Sequence, residues 1–151
     1  MNKITPFLWF DNQAEEAMNF YVSVFPNSRV VSVNRYPEGA PGKAGTVMTA
    51  TFELDGRPYM ALNGGPHFKF TEAISYVVEC DTQEEIDYYW TRLSEGGKEV
   101  ECGWLKDKYG LSWQIVPTLL GKLMSDPQKA PRVMQVVRRT KKFIIAELEN
   151  A

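Results

Sequence analysis

Hydrophobic and polar positions follow the same order twice along the chain. In each copy an apolar run closes on an aspartate, an acidic helix start follows, and a pair of aromatic residues lies further along that helix. The apolar runs are residues 7–11 and 76–81, and the helix starts are residues 15–21 and 84–90. A unit of this size cannot bury a sheet face well by itself, so the repeat predicts two modules packed as one domain with a cleft between their sheets.

The first copy has the pattern of a β-α-β-β-β module. Residues 4–10 form an apolar run typical of a buried strand. Asp11 and Asn12 predict a helix cap, and the helix is expected to run to about Phe25. The pair Asp55-Gly56 is the strongest hairpin signal in the chain. Strands are expected over residues 29–36, 46–54 and 59–63.

The second copy repeats this order with a shortened third strand. The expected elements are a strand over 73–80, a helix from Asp81 to about Ser94, a strand over 99–102, a short strand within 103–105 and a last strand over 111–116.

The residues after Pro117 differ from both copies. Helical periodicity predicts helices over 118–125 and 132–149. The apolar stripe of this tail needs a surface to pack on, either its own sheet or a partner subunit. We interpret the basic residues at 138–139 and 141–142 as a solvated face rather than an anion site.

Composition and charge exclude several classes of protein. The chain has 151 residues, 44% of them hydrophobic, and a net charge of −2, so the sequence predicts a globular domain that binds neither nucleic acid nor a membrane. The N-terminus lacks the pattern of a signal peptide, which predicts a cytoplasmic protein. Its two cysteines, Cys80 and Cys102, are therefore expected to be reduced and buried.

Five segments resemble the PhnB-like family, whose members are often labelled 3-demethylubiquinone-9 3-methyltransferase domains. These segments are residues 9–17, 20–21, 24–26, 96–97 and 104–113. The family belongs to the glyoxalase / bleomycin resistance / dioxygenase superfamily, also called the vicinal oxygen chelate superfamily. The resemblance extends over essentially the whole chain, including the tail.

The resemblance implies an α+β fold in which two β-α-β-β-β modules form an eight-stranded open-barrel sheet, followed by a C-terminal helical extension. It also implies a homodimer. We expect one domain over residues 1–151, divided into module one at 1–66, module two at 70–117 and the helical tail at 118–151.

The enzymes of this superfamily hold a divalent metal with side chains from the first and last strands of each module. The resemblance places these positions on Ile4, Ala61, Ser75 and Gln114. Ile4 and Ala61 carry no donor atom, Ser75 is a poor ligand, and only Gln114 is able to coordinate. We therefore expect no metal and no other cofactor.

Alternation along the strands predicts what lines the cleft. With Gln114 facing the cleft, Ser112 and Val116 face it too, while Trp113 and Ile115 pack against helices. The same rule places Leu8, Phe10, Ala61, Asn63, Ser75, Val77 and Glu79 on the cleft side. This lining suits a ligand pocket, and it equally suits a former metal site filled by ordinary side chains. The predicted ligand-binding residues are Phe10, Asn63, Ser75, Trp104 and Gln114.

Two further residues have alternative interpretations. Trp104 either covers a pocket or packs over the turn that precedes the last strand. His67, the only histidine, is a weak candidate for a catalytic acid or base, and the simpler interpretation is an exposed or stacked linker residue.

The function predicted from these observations is metal-free binding of an unidentified small molecule by a homodimer. The alternative is a small-molecule enzyme that uses His67 together with Gln114 or Asn63. A third possibility is a structural protein whose tail docks on a partner. No Gly-rich turn for an adenosine cofactor and no hydrolase motif is present in the sequence.

Overall fold

A computed structural model describes residues 3–151, which form two compact units. The first unit ends at Lys69 and the second spans Phe70–Ala151. The first unit contains β1 (Phe7–Phe10), α1 (Ala14–Val24), β2 (Arg29–Arg35), β3 (Val47–Leu54) and β4 (Arg57–Asn63). The second contains β5 (Tyr76–Cys80), α2 (Gln83–Ser94), β6 (Lys98–Glu99), β7 (Trp104–Lys106), β8 (Ser112–Pro117) and the tail helices α3 (Leu119–Met124), α4 (Ala130–Arg138) and α5 (Ile145–Glu149).

The first sheet has the strand order β1-β4-β3-β2, with β1 parallel to β4 and the other pairs antiparallel. The hairpin between β3 and β4 turns through Asp55 and Gly56, whose φ angles are 51° and 76°. Positive φ at both central residues is what a type I′ turn requires, and this turn matches the twist of the strands it joins.

Helix α1 covers one face of the first sheet with small and apolar side chains. Its buried residues follow helical spacing, and the sheet presents Phe52 and Ala50 among the buried residues of β3. The predicted cap by Asp11 and Asn12 is wrong. The side chain of Asn63, at the end of β4, accepts a hydrogen bond from the backbone N–H of Ala14 at 2.8 Å instead.

The second sheet repeats the topology with the order β5-β8-β7-β6, and β5 is parallel to β8. Helix α2 begins after Thr82, whose side chain accepts from the backbone N–H of Glu85 at 3.2 Å. This bond satisfies one of the free N–H groups at the helix start. The buried side chains of α2 are Ile86, Tyr89, Trp90 and Leu93.

The turn between β7 and β8 is built around the buried carboxylate of Asp107. Its Oδ1 accepts from the backbone N–H groups of Tyr109 and Leu111, and its Oδ2 accepts from the indole N–H of Trp113 at 2.9 Å. Three donors thus compensate the burial of one carboxylate. Asp107 fixes the start of β8.

The helix predicted over residues 132–149 is two helices, α4 and α5. Between them the backbone carbonyls of Thr140 and Lys141 accept from the N–H groups of Cys102 and Gly103 at 2.7 and 2.8 Å. A carbonyl bound elsewhere in the fold is no longer available to the helix, so the helical ladder stops here. The side chain of Phe143, 1% exposed, lies against Gly103.

Helix α2 holds the last part of the tail. The side chain of Gln83 donates to the carbonyl of Phe143 at 3.0 Å and accepts from the N–H of Ile145 at 2.8 Å. Lys142 forms an ion pair with Asp87 at 2.7 Å. The tail therefore packs on its own unit, which was one of the two predicted surfaces, while Arg138, Arg139 and Lys141 are exposed as predicted.

These elements confirm an α+β fold with two β-α-β-β-β modules, eight strands and C-terminal helices. Neither four-stranded sheet closes into a barrel. Across residues 3–151, every helix is too short or too polar to span a membrane.

Candidate ligand-binding site

The face of the second sheet that lies opposite α2 is partly open. Residues Trp113 and Ile115 of β8 point towards the helix side and are buried, while Gln114 and Val116, which alternate with them, are half-exposed. Val77 on β5 is 53% exposed. The predicted packing of Trp113 and Ile115 on the helix side is therefore correct. We call this surface the open face of the second sheet.

Three of the predicted ligand-binding residues meet on this open face. The side-chain amide of Gln114 on β8 donates to the hydroxyl of Ser75 at 2.9 Å. Trp104 on β7 is the direct cross-strand partner of Gln114. Strand pairing thus brings together residues that are up to 39 positions apart along the chain.

Several polar atoms of this cluster are available to a ligand. Within the described chain, no residue bonds to Oε1 of Gln114 or to the indole N–H of Trp104. The hydroxyl of Ser75 accepts from Gln114, so its own hydrogen is free to be donated. The cluster therefore offers one acceptor, two donors and an aromatic surface in the space of three residues.

The same face carries charged residues that the sequence analysis did not single out. Lys106 lies two residues beyond Trp104 on β7 and forms an ion pair with Glu72. Lys98 on β6 is the cross-strand partner of Lys106. The sequence contains a signal for Lys106. Residues i and i+2 of a strand share a face, and Trp104 is one of the predicted ligand-binding residues.

Phe10 and Asn63 lie in the first unit, on the face of its sheet that the helix covers. Both are buried, at 3% and 8% exposure, on the side of the first sheet that packs on α1. Leu8 and Ala61 lie there too, so the predicted face assignment is wrong for the first unit. The Asn63 amide is already used, since it accepts from Ala14 and donates to the carbonyl of Val47 at 3.0 Å.

The strand register also corrects two of the positions compared with metal ligands. In the second unit Gln114 pairs with Val77, two residues after Ser75, and in the first unit Met60 pairs with Phe7. Ala61 is buried on the side of α1, whereas Met60 is part-exposed like Gln114, so on the face away from the helix the residues at the same register are Thr5 and Met60, each one residue away from the predicted Ile4 and Ala61. The one-residue error reverses every side chain of these strands.

The donor groups at these positions do not fit a catalytic divalent metal. Such a site takes about three ligands from imidazole, carboxylate and thiolate groups, and the four positions carry Thr5, Met60, Ser75 and Gln114. In residues 3–151 no three His, Cys, Asp or Glu side chains are grouped so that they could hold an ion. The residues at these four positions therefore do not provide the ligands that a catalytic divalent metal needs.

His67 lies in the first unit, exposed, in the segment that follows β4. The neighbouring Phe68 packs edge-on against Trp9, with ring centroids 4.9 Å apart, and the indole of Trp9 donates to the carbonyl of Gly65 at 2.9 Å. No hydrogen bond or ion pair in the described part of the chain involves the His67 side chain. It therefore has no partner that would orient it as a base.

Comparison with known proteins identifies the family. Residues 2–116 match the family described as 3-demethylubiquinone-9 3-methyltransferase. The chain belongs to this PhnB-like family. It is 45% identical to a PhnB protein from Bacillus cereus, with a TM-score of 0.74, over 78% of this chain and 100% of that one. The family match ends before α3, so it does not extend over the tail as the sequence resemblance suggested.

More distant structures agree on the fold. Protein PA1353 from Pseudomonas aeruginosa is 19% identical with a TM-score of 0.65, over 78% of this chain and 98% of that one. The fosfomycin resistance protein FosX from Mesorhizobium loti is 12% identical with a TM-score of 0.58, over 83% and 100%. Both structures share the fold of this PhnB-like chain. No curated protein matches the chain.

Proposed function

We propose that this PhnB-like protein binds a small organic molecule on the open face of the second sheet and does so without a metal. The observation that carries the proposal is the cluster of Gln114, Ser75 and Trp104, in which one internal hydrogen bond positions Gln114 and Ser75 and leaves one acceptor and two donors of the cluster unused. Groups held in place before binding lose little conformational entropy when a ligand arrives.

The composition of the cluster indicates the kind of molecule it suits. Trp104 offers a flat surface for a planar, partly apolar group, and stacking on such a surface contributes about 0.5–1.5 kcal/mol beyond the area buried. The Gln114 carbonyl oxygen accepts one hydrogen bond, and the Ser75 hydroxyl and the Trp104 indole each donate one. A planar molecule with both donor and acceptor groups matches this pattern.

Binding rather than catalysis is the proposal because the predicted catalytic candidate lacks a partner in the described part of the chain. His67 has no orienting partner, and the amide of Asn63 is used within the first unit. We do not propose the methyltransferase activity that the family's description names, since the sequence has no Gly-rich turn of the kind that binds adenosine cofactors. Non-catalytic binding also agrees with the poor metal-ligand set.

The test uses the neutral dye N-phenyl-1-naphthylamine as a probe of an apolar site with polar edges. We expect saturable binding to the purified protein, with energy transfer from tryptophan to the dye. Trp104→Phe should reduce that transfer, and Gln114→Leu should weaken binding at least threefold through loss of the ordered Ser75. Gln135→Leu, an exposed glutamine on α4, is the matched control and should leave affinity unchanged.

Native mass spectrometry of protein taken directly from cells gives a second readout. A bound metabolite that is lost in Gln114→Leu and retained in Gln135→Leu would support the proposal. Dye binding that is equally strong in the unmodified protein, in Gln114→Leu and in Gln135→Leu would overturn it, because the open face would then not be the site.

We also propose that the protein forms a homodimer. Four apolar residues at or just before the edge strands β1 and β5 are 48–89% exposed, namely Ile4, Phe7, Ile74 and Val77. Exposed apolar side chains at sheet edges are a common mark of an interface. Sedimentation equilibrium tests this, and a mass close to the 17.2 kDa of one chain at micromolar concentration would overturn it.

A cytoplasmic location is part of the same proposal. Cys80 and Cys102 are both free thiols, and this state is the ordinary one in a reducing compartment. Fractionation of cells, followed by detection of the protein, tests the location directly.

A further inference from the structure

We infer that the site carries an anion-binding corner formed by Lys98, Lys106 and Ser112, so that its ligands bear a carboxylate, phosphate or sulfonate group. The inference rests on the proposed function, because it assigns one part of the same open face. It is carried by the strand register, by the imbalance of charge along one row of the sheet, and by an unpartnered buried hydroxyl.

The register places these residues in one row across the sheet. Lys98 on β6 is directly opposite Lys106 on β7, and Lys106 is directly opposite Ser112 on β8. Residues that face each other across antiparallel strands project from the same face. Trp104 and Gln114 form the next row, again directly opposite each other. The charged corner and the proposed ligand site are therefore neighbouring rows of one surface.

The charges in this corner are not balanced. Like charges directly opposite each other in a sheet are unfavourable, and here two ammonium groups have one carboxylate, Glu72, for a partner. Lys98 has no ion pair within the described chain. The hydrogen bond from Lys106, and then the charges of Lys106 and Lys98, hold the pKa of Glu72 below its usual range. An anionic ligand group would remove the remaining repulsion.

Ser112 supplies the second, independent observation. Its hydroxyl is fully buried, and it is the one buried side-chain polar atom in residues 3–151 that has no hydrogen-bond partner. Such a hydroxyl costs free energy in the absence of a ligand. In the structure the group cannot be reached from solvent, so the inference includes a movement of Lys106 from Glu72 towards the ligand.

The experiment compares two dyes with the same ring system. 8-Anilino-1-naphthalenesulfonate carries a sulfonate, and N-phenyl-1-naphthylamine does not. We expect the unmodified protein to bind the sulfonate dye about fivefold more tightly than the neutral dye at low ionic strength, a modest gain for a charge-assisted contact. Added salt should remove this preference, since it screens exposed charges.

Variants of the corner should change the preference in opposite directions. Lys106→Met and Lys98→Met keep the apolar stem and should each bring the two affinities to within about twofold. Glu72→Gln should increase the preference about two- to threefold, because it removes the competing carboxylate. Lys129→Met, at an exposed lysine before α4, is the matched control and should leave the preference unchanged.

Ser112→Ala separates a ligand contact from a structural role. The loss of an unpartnered buried hydroxyl should raise Tm by about 2 °C, while the preference for the sulfonate dye falls. A lower Tm would show that the hydroxyl is satisfied in the folded protein and would overturn its assignment.

The two proposals fail in different ways. Neutral-dye binding that depends on Trp104 and Gln114, with a sulfonate preference unaffected by Lys98→Met and Lys106→Met, would overturn the anion corner and leave the proposed function standing. Absence of Trp104-dependent binding for both dyes would overturn the proposed function and the anion corner with it.

Discussion

Phe143→Ala tests whether the C-terminal tail, which lies beyond the residues that match the family, is an integral part of the second unit. The ring of Phe143 is 1% exposed and packs against Gly103. A Cβ built on Gly103 would overlap Cε2 of this ring, so the glycine leaves the space that the ring fills. Removing the ring therefore leaves a cavity.

The expected cost follows from burial of the ring. Truncation of a buried phenylalanine to alanine costs about 3–5 kcal/mol. Since a domain has a stability of about 5–15 kcal/mol, the loss would be a large part of the total. The ring also positions the backbone that bonds Gln83, through the carbonyl of Phe143 and the N–H of Ile145. Some loss of these two bonds would add to the cost.

The assay is equilibrium unfolding in urea, followed by circular dichroism and by tryptophan emission. Phe68→Ala is the matched control because Phe68 is 65% exposed, and its truncation should cost less than about 1 kcal/mol. A loss below about 1 kcal/mol for Phe143→Ala, equal to that of the control, would refute the reasoning. The tail would then be a loosely attached segment rather than a part of the core.

Three further predictions concern stability. Burial, followed by the charges of nearby carboxylates, raises the pKa of the Cys80 thiol from 9.0 to about 12, so the unfolded chain loses its proton first and stability should fall as pH rises from 9 towards 12. Urea titrations at pH 8 and pH 10.5 measure this, and an equal fall in Cys80→Ala would show that another group is responsible. Asp107→Ala should cost at least about 2 kcal/mol, since two buried donors, one of them the Trp113 indole, and one part-buried donor lose their acceptor. A cost below about 0.5 kcal/mol, which is typical of surface substitutions, would contradict the role of this turn. Asn63→Ala should cost about 1–2 kcal/mol through loss of the cap on Ala14, and an unchanged urea midpoint would contradict it.

The scaffold could be predicted from the sequence because its signals are local. Apolar runs, the Asp55-Gly56 pair and the repeated helix starts each act within a few residues. The order of elements in both units follows from them. The face on which each strand residue lies does not follow from these local signals. Alternation fixes only which residues share a face, and one misplaced residue assigns every side chain of the strand to the wrong face. The alternation predicted for Gln114 and its neighbours on β8 agrees with their burial, whereas the misplaced Ile4 and Ala61 reversed the assignment of Phe10 and Asn63.

The break between α4 and α5 could not be predicted for a different reason. The residues from 132 to 149 have continuous helical periodicity, and nothing local requires a break at Thr140. The break arises because the carbonyls of Thr140 and Lys141 bond Cys102 and Gly103, and because Phe143 fills the space beside Gly103. Contacts between residues about forty positions apart override the local preference.

The pair of Ser75 and Gln114 shows why the donor set matters for more than metal binding. Ligands such as carboxylates, placed side by side on neighbouring strands, repel one another until a cation neutralises them. A neutral amide that donates to a hydroxyl needs no cation, and the bond between Gln114 and Ser75 joins β8 to the residue preceding β5 at 2.9 Å. This arrangement stabilises the sheet and orients the amide at once. A site built in this way selects its ligand by hydrogen bonds and stacking, which is the physical basis of the binding function proposed for this chain.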